Sequence, residues 1–215
     1  GPVTFKEGDR FRLSLAVVGN GVKYLPYIVH SLLKLGENGA GKERGKFRLS
    51  GVLHGGDNSL LCTDAADMDY SRLKPVVFDK PEPSGKVEIE FRTPCRIQKD
   101  GKAVRNAEFP DIIKSIVRKM DNLGALYCNG PLLADRDDIV QRASEIRKVS
   151  EQLNWEEMSR YSKRQGNRMP LEGFTGRAVY EGDITPFHEI LRSAEFINIG
   201  KNSSFGFGAV KVRFN

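Results

Sequence analysis

Two glycine-rich segments that also carry lysine are the parts of this sequence best suited to hold a phosphodiester. They lie at residues 36–45 and 200–208. Glycine lets a phosphate approach backbone amides closely, and lysine adds charge that is independent of base sequence. Either segment alone could be a tight turn, but two at matching positions favour phosphate binding. We assign this role to Lys42, Arg44, Gly200, Lys201, Gly206 and Gly208.

A third basic segment lies at residues 159–168, which hold four cations and no acid. Arginine can contact a phosphate with two parallel hydrogen bonds, and tyrosine can stack on an unpaired base. A solvated loop is the alternative interpretation. The candidate RNA contacts in this segment are Arg160, Tyr161, Lys163 and Arg164.

The histidines and cysteines exclude several classes of site. Three cysteines lie far apart in sequence, so neither a disulfide framework nor a zinc site is indicated. The three histidines are also isolated, and we expect no metal and no other cofactor. Imidazole exchanges protons near neutral pH, so His30, on a helix beside the first glycine segment, is the candidate catalytic base. We expect His54 to lie in a turn and His188, in the first turn of a helix, to be a structural or a surface residue.

The composition points to a polyanionic partner. The 215 residues carry a net charge of +6, and 22 are glycine. The sequence has no apolar run long enough to cross a bilayer, so we expect a cytoplasmic protein without membrane contact. A basic protein of this kind favours nucleic acid without proving it.

Similar elements surround the two glycine segments. The first segment follows an alternating strand at 11–17 and a helix opened by Pro26, and it precedes a strand at 46–53. The second follows a strand at 174–180 and a helix opened by Pro186, and it precedes the last strand. The two prolines are 160 positions apart and the two lysines 159. The sequence therefore predicts the same β-α-glycine loop-β unit twice.

The middle of the chain supplies further elements. Residues 87–92 alternate as a strand, residues 109–123 carry the strongest helical periodicity, and a second helix is predicted over 135–153. We predict an α+β fold of tandem ferredoxin-like domains. The first, at 1–62, is partial and lacks its front half. Residues 63–86 form a connection, and residues 87–215 form the second domain, with an extra helix.

The motifs resemble a known family. The segment Gly200-Lys-Asn-Ser-Ser-Phe-Gly206-Phe-Gly208 is similar to the glycine-rich signature of the RAMP superfamily of CRISPR systems. Three motifs precede it in order: Arg160-Tyr-Ser-x-Arg-Gln165, Gly173-Phe-Thr-Gly176 and Tyr180-Glu-Gly-Asp183. Together they resemble the C-terminal domain of the CRISPR-associated endoribonuclease that cuts precursor CRISPR RNA.

The resemblance implies two ferredoxin-like domains that grip a repeat RNA. It also implies metal-independent cleavage, in which the 2′-hydroxyl attacks the adjacent phosphate and leaves a 2′,3′-cyclic phosphate. Two departures matter: the family's usual histidine base lies in the front half that we expect to be missing, and Asn198 stands where members often carry histidine. The alternatives are a non-catalytic RAMP subunit that binds CRISPR RNA in an effector complex, and a general RNA-binding module. The partners implied are repeat RNA and either other effector subunits or a fused domain.

Overall fold

The chain folds into two compact units. A computed structural model describes residues 4–41, 43–63, 68–79, 82–162 and 167–215. The units are Gly1–Val17 with Gly21–Val77, and Val18–Asn20 with Phe78–Asn215. Each unit has its own buried apolar cluster. Among the described residues, none of the helices combines the length and apolarity that crossing a membrane requires.

The first unit is built around one helix. Its elements are α1 (Leu25–Asn38), β1 (Val52–Leu53) and β2 (Leu60–Cys62), with β1 and β2 antiparallel. Helix α1 begins at the predicted proline. The strand predicted over 11–17 is wrong, and the one predicted over 46–53 is reduced to its last two residues. Alternation supplies an apolar face, but a strand also needs a neighbour to pair its backbone groups, and 11–17 has no such pairing.

The second unit is an antiparallel sheet covered by helices. Its elements are β3 (Lys86–Cys95), β4 (Gln98–Lys99), β5 (Lys102–Ala103), α2 (Phe109–Tyr127), α3 (Arg136–Arg142), β6 (Arg147–Ser162), β7 (Asn167–Glu181), α4 (His188–Ile197) and β8 (Val210–Phe214). The main sheet has the order β6-β7-β3-β8, with every neighbouring pair antiparallel. This β-α-β-β-α-β path with that order is the ferredoxin-like arrangement. The predicted α+β class is confirmed.

The core of the second unit follows from two periodicities. In β3, Val87, Ile89 and Phe91 are buried, and the intervening charged residues lie on the opposite face. In α2, Ile112 and Ile116 are completely buried against this sheet. Apolar residues thus recur every two positions in the strand and about every four in the helix, so each element has one apolar face, and these two faces pack together.

The helix predicted over 135–153 is wrong beyond Arg142. The chain passes through a short 3₁₀ turn and enters β6 at Arg147. Leu153 and Trp155 are half-buried and pack on the core, whereas Asn154 between them is exposed. This is strand alternation, and the backbone of β6 pairs with β7 along its length. The extra strand supplies the fourth member of the sheet.

One edge of the sheet is capped by side chains of α4. The amide of Val212, in the middle of β8, donates to Glu195 Oε1 at 3.0 Å. Arg192 Nη1 donates to the carbonyl of the same residue at 3.4 Å. The outward backbone donor and acceptor at this point of β8 are therefore both occupied.

Candidate nucleic-acid interface

The second glycine loop, residues 198–209, has a backbone that demands glycine at two points. Gly200 (φ 79°) and Gly208 (φ 72°) both lie in the left-handed region. A Cβ at Gly200 would collide with the carbonyl of Arg96, and one at Gly208 with the carbonyl of Ile199. Gly206 (φ 82°) is also left-handed, but it faces open space. The first two glycines therefore allow close backbone packing, and Gly206 is exposed.

Four amide groups of the glycine and lysine residues in this loop are hydrogen-bonded inside the protein. Those of Gly200, Lys201, Gly206 and Gly208 donate, respectively, to Ser115 Oγ (3.2 Å), Arg96 O (2.8 Å), Ser203 O (2.9 Å) and Pro94 O (3.0 Å). These four amides are therefore not available to bind a phosphate, and an exposed side chain would have to hold it at these positions. Lys201 is exposed and can do this. The contact of the three glycines with RNA stays a prediction.

The two glycine loops begin with the same geometry. Helix α1 ends at Gly39 (φ 83°, ψ 141°), and α4 ends at Asn198 (φ 62°, ψ 163°). Two residues later come Gly41 (φ 76°) and Gly200 (φ 79°). Both pairs are 159 positions apart, as are Lys42 and Lys201. Lys42 itself lies outside the described residues.

The two loops also close in the same way. The amide of Ala40 donates to Gly45 O, and that of Ile199 donates to Gly208 O, both at 2.8 Å. Four residues lie between the closing pair in the first loop and eight in the second. The first loop is thus a short version of the second, and Arg44 (φ 53°) is exposed near its tip.

A long two-stranded arm extends from the same end of the sheet as the second loop. β3 pairs with β7 no further than Cys95 opposite Phe174. Beyond that point β6 and β7 pair only with each other, from Glu156–Gly173 to Ser162–Asn167. Seven residues at about 3.3 Å each make this arm about 23 Å long. Gly173 allows its base to cross β3, because a Cβ there would come within 2.8 Å of Cys95 backbone.

The described residues of the predicted basic segment, 159–162 and 167–168, lie in the outer part of this arm. The backbone of Arg160 and Tyr161 lies in β6, with Tyr161 opposite Arg168 in β7. Lys163 and Arg164 fall within 163–166, outside the described residues. The helix predicted over 135–153 would place this segment after a helix. The structure instead places its described residues, 159–162 and 167–168, in the paired strands β6 and β7.

The base of the arm, the second glycine loop and a basic turn meet at the end of β3. We define the basic turn as residues 96–105, which contain β4 and β5. Arg96 forms a backbone bridge with Lys201 in the loop, and its side chain lies 3.3 Å from Glu172 in β7. At the other end of the turn, the Arg105 guanidinium lies 4.6 Å from the centre of the Trp155 ring. These contacts bring the basic turn and the second glycine loop to the base of the arm, where Glu172 and Glu157 lie beside Arg96 and Arg105.

Sequence reasoning missed the basic turn as a candidate. Asp100 (φ 51°) and Gly101 (φ 79°) make a two-residue turn with both central residues left-handed. Lys99 and Lys102 flank it, and both are exposed. The usable signal in the sequence was an Asp-Gly dipeptide with one lysine on each side. Such a dipeptide favours a tight hairpin turn, which places both lysines near its tip.

Two titratable groups lie beneath the second glycine loop. Burial lowers the pKa of Lys119 to about 8 and raises the pKa of the Cys95 thiol to about 12. Lys119 Nζ donates to the carbonyls of Ile197 (3.1 Å) and Asn198 (2.9 Å). The lysine thus joins α2 to the end of α4.

The three histidines differ in their surroundings. His54 is bound on both ring nitrogens, by Asp57 Oδ1 at 3.0 Å and Lys74 O at 2.9 Å, and the hydrogen bonds to Lys74 and Asp57 raise its pKa. His188 is buried with its ring 4.4 Å from that of Phe214, and burial lowers its pKa. His30 is exposed on α1. His54 and His188 have structural surroundings, as expected, and the catalytic role of His30 stays a prediction.

The candidate residues fall in both units. His30 and Arg44 belong to the first, and Arg160, Tyr161 and Lys201 belong to the second. In the part of the chain that the structure describes, no cluster of three or more histidine, cysteine, aspartate or glutamate side chains could hold a metal ion.

Comparison with known families identifies the second unit. The family model of the CRISPR-associated endoribonuclease Cas6 matches residues 89–210, more than half of the chain. The chain belongs to the Cas6 family. The match runs from β3 to the start of β8, so it includes the basic turn, the arm and the second glycine loop. Another family model, described as an N-terminal domain, matches residues 1–71.

Individual relatives are distant. An uncharacterised protein of Archaeoglobus fulgidus is 25% identical over 211 residues, which cover 94% of this chain and 66% of that protein. A solved Cas6 product complex is 19% identical, with a TM-score of 0.46 over 61% of this chain and 52% of the other. Thermus thermophilus Cas6 is 14% identical, with a TM-score of 0.46 over 62% and 55%. The chain spans about two thirds of the archaeal relative and about half of the solved chains.

Proposed function

We propose that this chain works in the cytoplasm, binds CRISPR repeat RNA and processes precursor CRISPR RNA. The observation that carries the proposal is the arm together with the loop beside its base. Residues 158–162 and 167–170 form the outer part of the arm, and the sequence from 158 to 170 includes four cations and no acid. Lys201 and the basic turn add exposed cations near the base. This Cas6-family surface can follow a phosphate backbone over about 20 Å or more.

Binding is tested by changing equal amounts of charge at two places. The double variant Arg160→Ala with Arg168→Ala removes two cations from the arm. Lys114→Ala with Arg118→Ala removes two exposed cations from α2 and is the matched control. Each lost phosphate contact lowers the slope of log affinity against log salt by about 0.7–0.9. The arm variant is therefore expected to lower that slope by about 1.5, and the control to leave it unchanged.

Cleavage would use the RNA's own 2′-hydroxyl, as the family resemblance implies. The 2′-oxygen forms a bond to the adjacent phosphorus while the bond from phosphorus to the 5′-oxygen breaks. A base takes the 2′-hydroxyl proton, and a proton is delivered to the departing 5′-oxygen. His30 is our candidate base, because it is exposed whereas His54 and His188 are held by structural contacts.

A cleavage assay in EDTA tests this step. Repeat RNA is incubated with the protein, and the products are examined for a 2′,3′-cyclic phosphate and a 5′-hydroxyl. We expect His30→Ala to remove the products without weakening RNA binding. Ser31→Ala, at the next exposed position of α1, is the control and should cleave normally. Normal cleavage by His30→Ala would refute the role of His30.

A non-catalytic CRISPR RNA-binding subunit is the second candidate function. Asn198, where the resemblance leads one to expect histidine, ends α4, and its side chain donates to Phe207 O at 2.9 Å. That residue is committed to the loop structure and offers no base. Repeat RNA that is bound and stays intact in the same assay would favour this function. Equal affinity for unrelated single strands would instead indicate a general RNA-binding module. Other effector subunits or a fused domain remain proposed partners in either case.

A further inference from the structure

Helix α2 places two polar side chains, Ser115 and Lys119, under the start of the second glycine loop. They are four positions apart, so they lie on the same face of the helix. We propose that Ser115 and Lys119 are positioning residues that hold residues 197–200 in the geometry that presents Lys201 to RNA. This inference rests on the proposed function, because it assumes that the loop contacts RNA.

The contacts are made to backbone groups that need partners. Ile197 and Asn198 provide carbonyls at the end of α4, where the last carbonyls of a helix have no partner within it. Lys119 Nζ donates to both, at 3.1 and 2.9 Å. The positive charge also suits the negative end of the helix dipole. Lys119 therefore fixes the point at which the chain leaves α4.

Ser115 fixes the next turn of the chain. Its Oγ accepts the amide of Gly200 at 3.2 Å in a buried position. Lys201 follows directly, and its own amide is bound to Arg96 O at 2.8 Å. The exposed lysine thus projects from a backbone that α2 holds on one side and the end of β3 on the other.

The surroundings of Lys119 make its hydrogen bonds to the start of the loop sensitive to pH. The titratable or charged groups that face its ammonium are Cys95 from β3 and Arg118 from its own helix, and α4 contributes the two carbonyls. Cys95 is buried, with its pKa raised to about 12, so it remains a neutral thiol through the range of interest. Burial lowers the pKa of Lys119 to about 8. Above that pH the amine donates weaker, uncharged hydrogen bonds.

Stability and RNA affinity should then change in opposite directions. Lys119 has a folded pKa near 8, against 10.5 for the unperturbed group, so between these values the unfolded chain binds more protons. For this group, the free energy of unfolding therefore rises with pH. The affinity for RNA should fall over the same range, because the loop start is held less firmly. A lysine with a purely structural role would change the free energy of unfolding with pH but would not lower the affinity for RNA.

The experiment measures affinity for repeat RNA from about pH 6.5 to 9. For the wild type we expect the dissociation constant to rise about three- to tenfold through pH 8, as charge-assisted hydrogen bonds are lost. Lys119→Arg keeps its charge, and its profile should be flat. Lys119→Met should bind weakly at every pH. Lys114→Met, an exposed lysine on the same helix, should follow the wild type.

Hydrogen exchange of residues 198–209 without RNA gives a second readout. Ser115→Ala and Lys119→Met should both speed exchange of the Gly200 and Lys201 amides, and Lys114→Met should not. Ser115→Ala keeps the test decisive if Lys119→Met fails to fold. Unchanged exchange, or RNA affinity that is flat through pH 8, would overturn the positioning role. If exchange changes as expected but neither the wild type nor any variant binds RNA at any pH, the proposed function fails. Ser115 and Lys119 would then still position the loop, but not for RNA binding.

Discussion

Replacing Gly208 or Gly206 by alanine should distinguish two reasons why this loop contains glycine: a left-handed backbone and close packing against another backbone segment. Both residues have left-handed backbones, with φ of 72° and 82°. A Cβ at Gly208 would collide with the Ile199 carbonyl, whereas a Cβ at Gly206 would meet nothing within 4 Å. The two substitutions therefore share the backbone strain and differ in the collision.

The expected magnitudes follow from these contacts. The left-handed conformation costs about 1–2 kcal/mol for a residue with a Cβ, and both variants bear that cost. Gly208→Ala must also displace backbone that carries two hydrogen bonds: Ile199 N to Gly208 O at 2.8 Å, and Gly208 N to Pro94 O at 3.0 Å. Each contributes about 1 kcal/mol net. We expect losses of about 3–4 kcal/mol for Gly208→Ala and about 1–2 for Gly206→Ala.

Urea unfolding followed by tryptophan fluorescence measures the difference. Trp155 is the only tryptophan, and it packs on the core of the second unit, so its signal reports this unit. The decisive quantity is the gap of about 2 kcal/mol between the two variants, which cancels the shared strain. Equal destabilisation by both, within about 0.5 kcal/mol, would refute the role assigned to close packing at Gly208.

Three further predictions concern other parts of the chain. Lys201→Ala should weaken RNA binding about three- to tenfold and lower the salt slope by about 1, and an unchanged slope would count against a phosphate contact. Hydrogen bonds to Lys74 and Asp57 raise the pKa of His54, so its charged form stabilises the fold at low pH, and this contribution is lost as pH rises through the folded pKa. The Tm loss on His54→Gln should therefore be larger at pH 5.5 than at pH 8, and equal losses would contradict the argument. Tyr180→Phe removes the buried 2.7 Å hydrogen bond to Ala107 O and should lower the free energy of unfolding in urea by about 1–2 kcal/mol; a loss below about 0.5 would show that this carbonyl finds another partner.

Elements with a single strong periodicity could be predicted from sequence. Helix α2 was foreseen because its apolar residues recur at helical spacing and Pro110 opens it. β3 was foreseen because Val87, Ile89 and Phe91 alternate with charged residues. In both elements the apolar residues lie on one face, and that face packs against one core. The spacing of the apolar residues in the sequence therefore reflects how the element packs.

β6 was missed because its stability comes from distant pairing. Residues 147–157 include many charged and polar side chains that suit a helix surface, and only Leu153 and Trp155 turn towards the core. The backbone partners that make this segment a strand lie in β7, and no local pattern records them. The converse error occurred at 11–17, where alternation was clear but no strand pairs with it.

The candidate site was predictable only in part. Lys201 and Gly208 stood out because a glycine-rich stretch near a basic residue is visible in sequence. Ser115 and Lys119 did not, since they contact residues 78 to 85 positions away and interrupt an otherwise apolar helix face. The similarity of the two glycine loops was visible in the sequence as a constant separation between corresponding residues. The structure explains it, because the C-cap residues and the glycines two positions later have similar backbone conformations in both loops.

The capped edge at β8 bears on how copies of this protein could share one RNA. Under the proposed function, a transcript with many repeats would hold several copies side by side, at high local concentration. Exposed strand edges invite neighbouring molecules to join by adding strands. Because Glu195 and Arg192 already satisfy the outward amide and carbonyl of Val212, a strand approaching β8 would find its central pairing groups taken. Crowded copies should therefore remain separate molecules along this edge of the sheet.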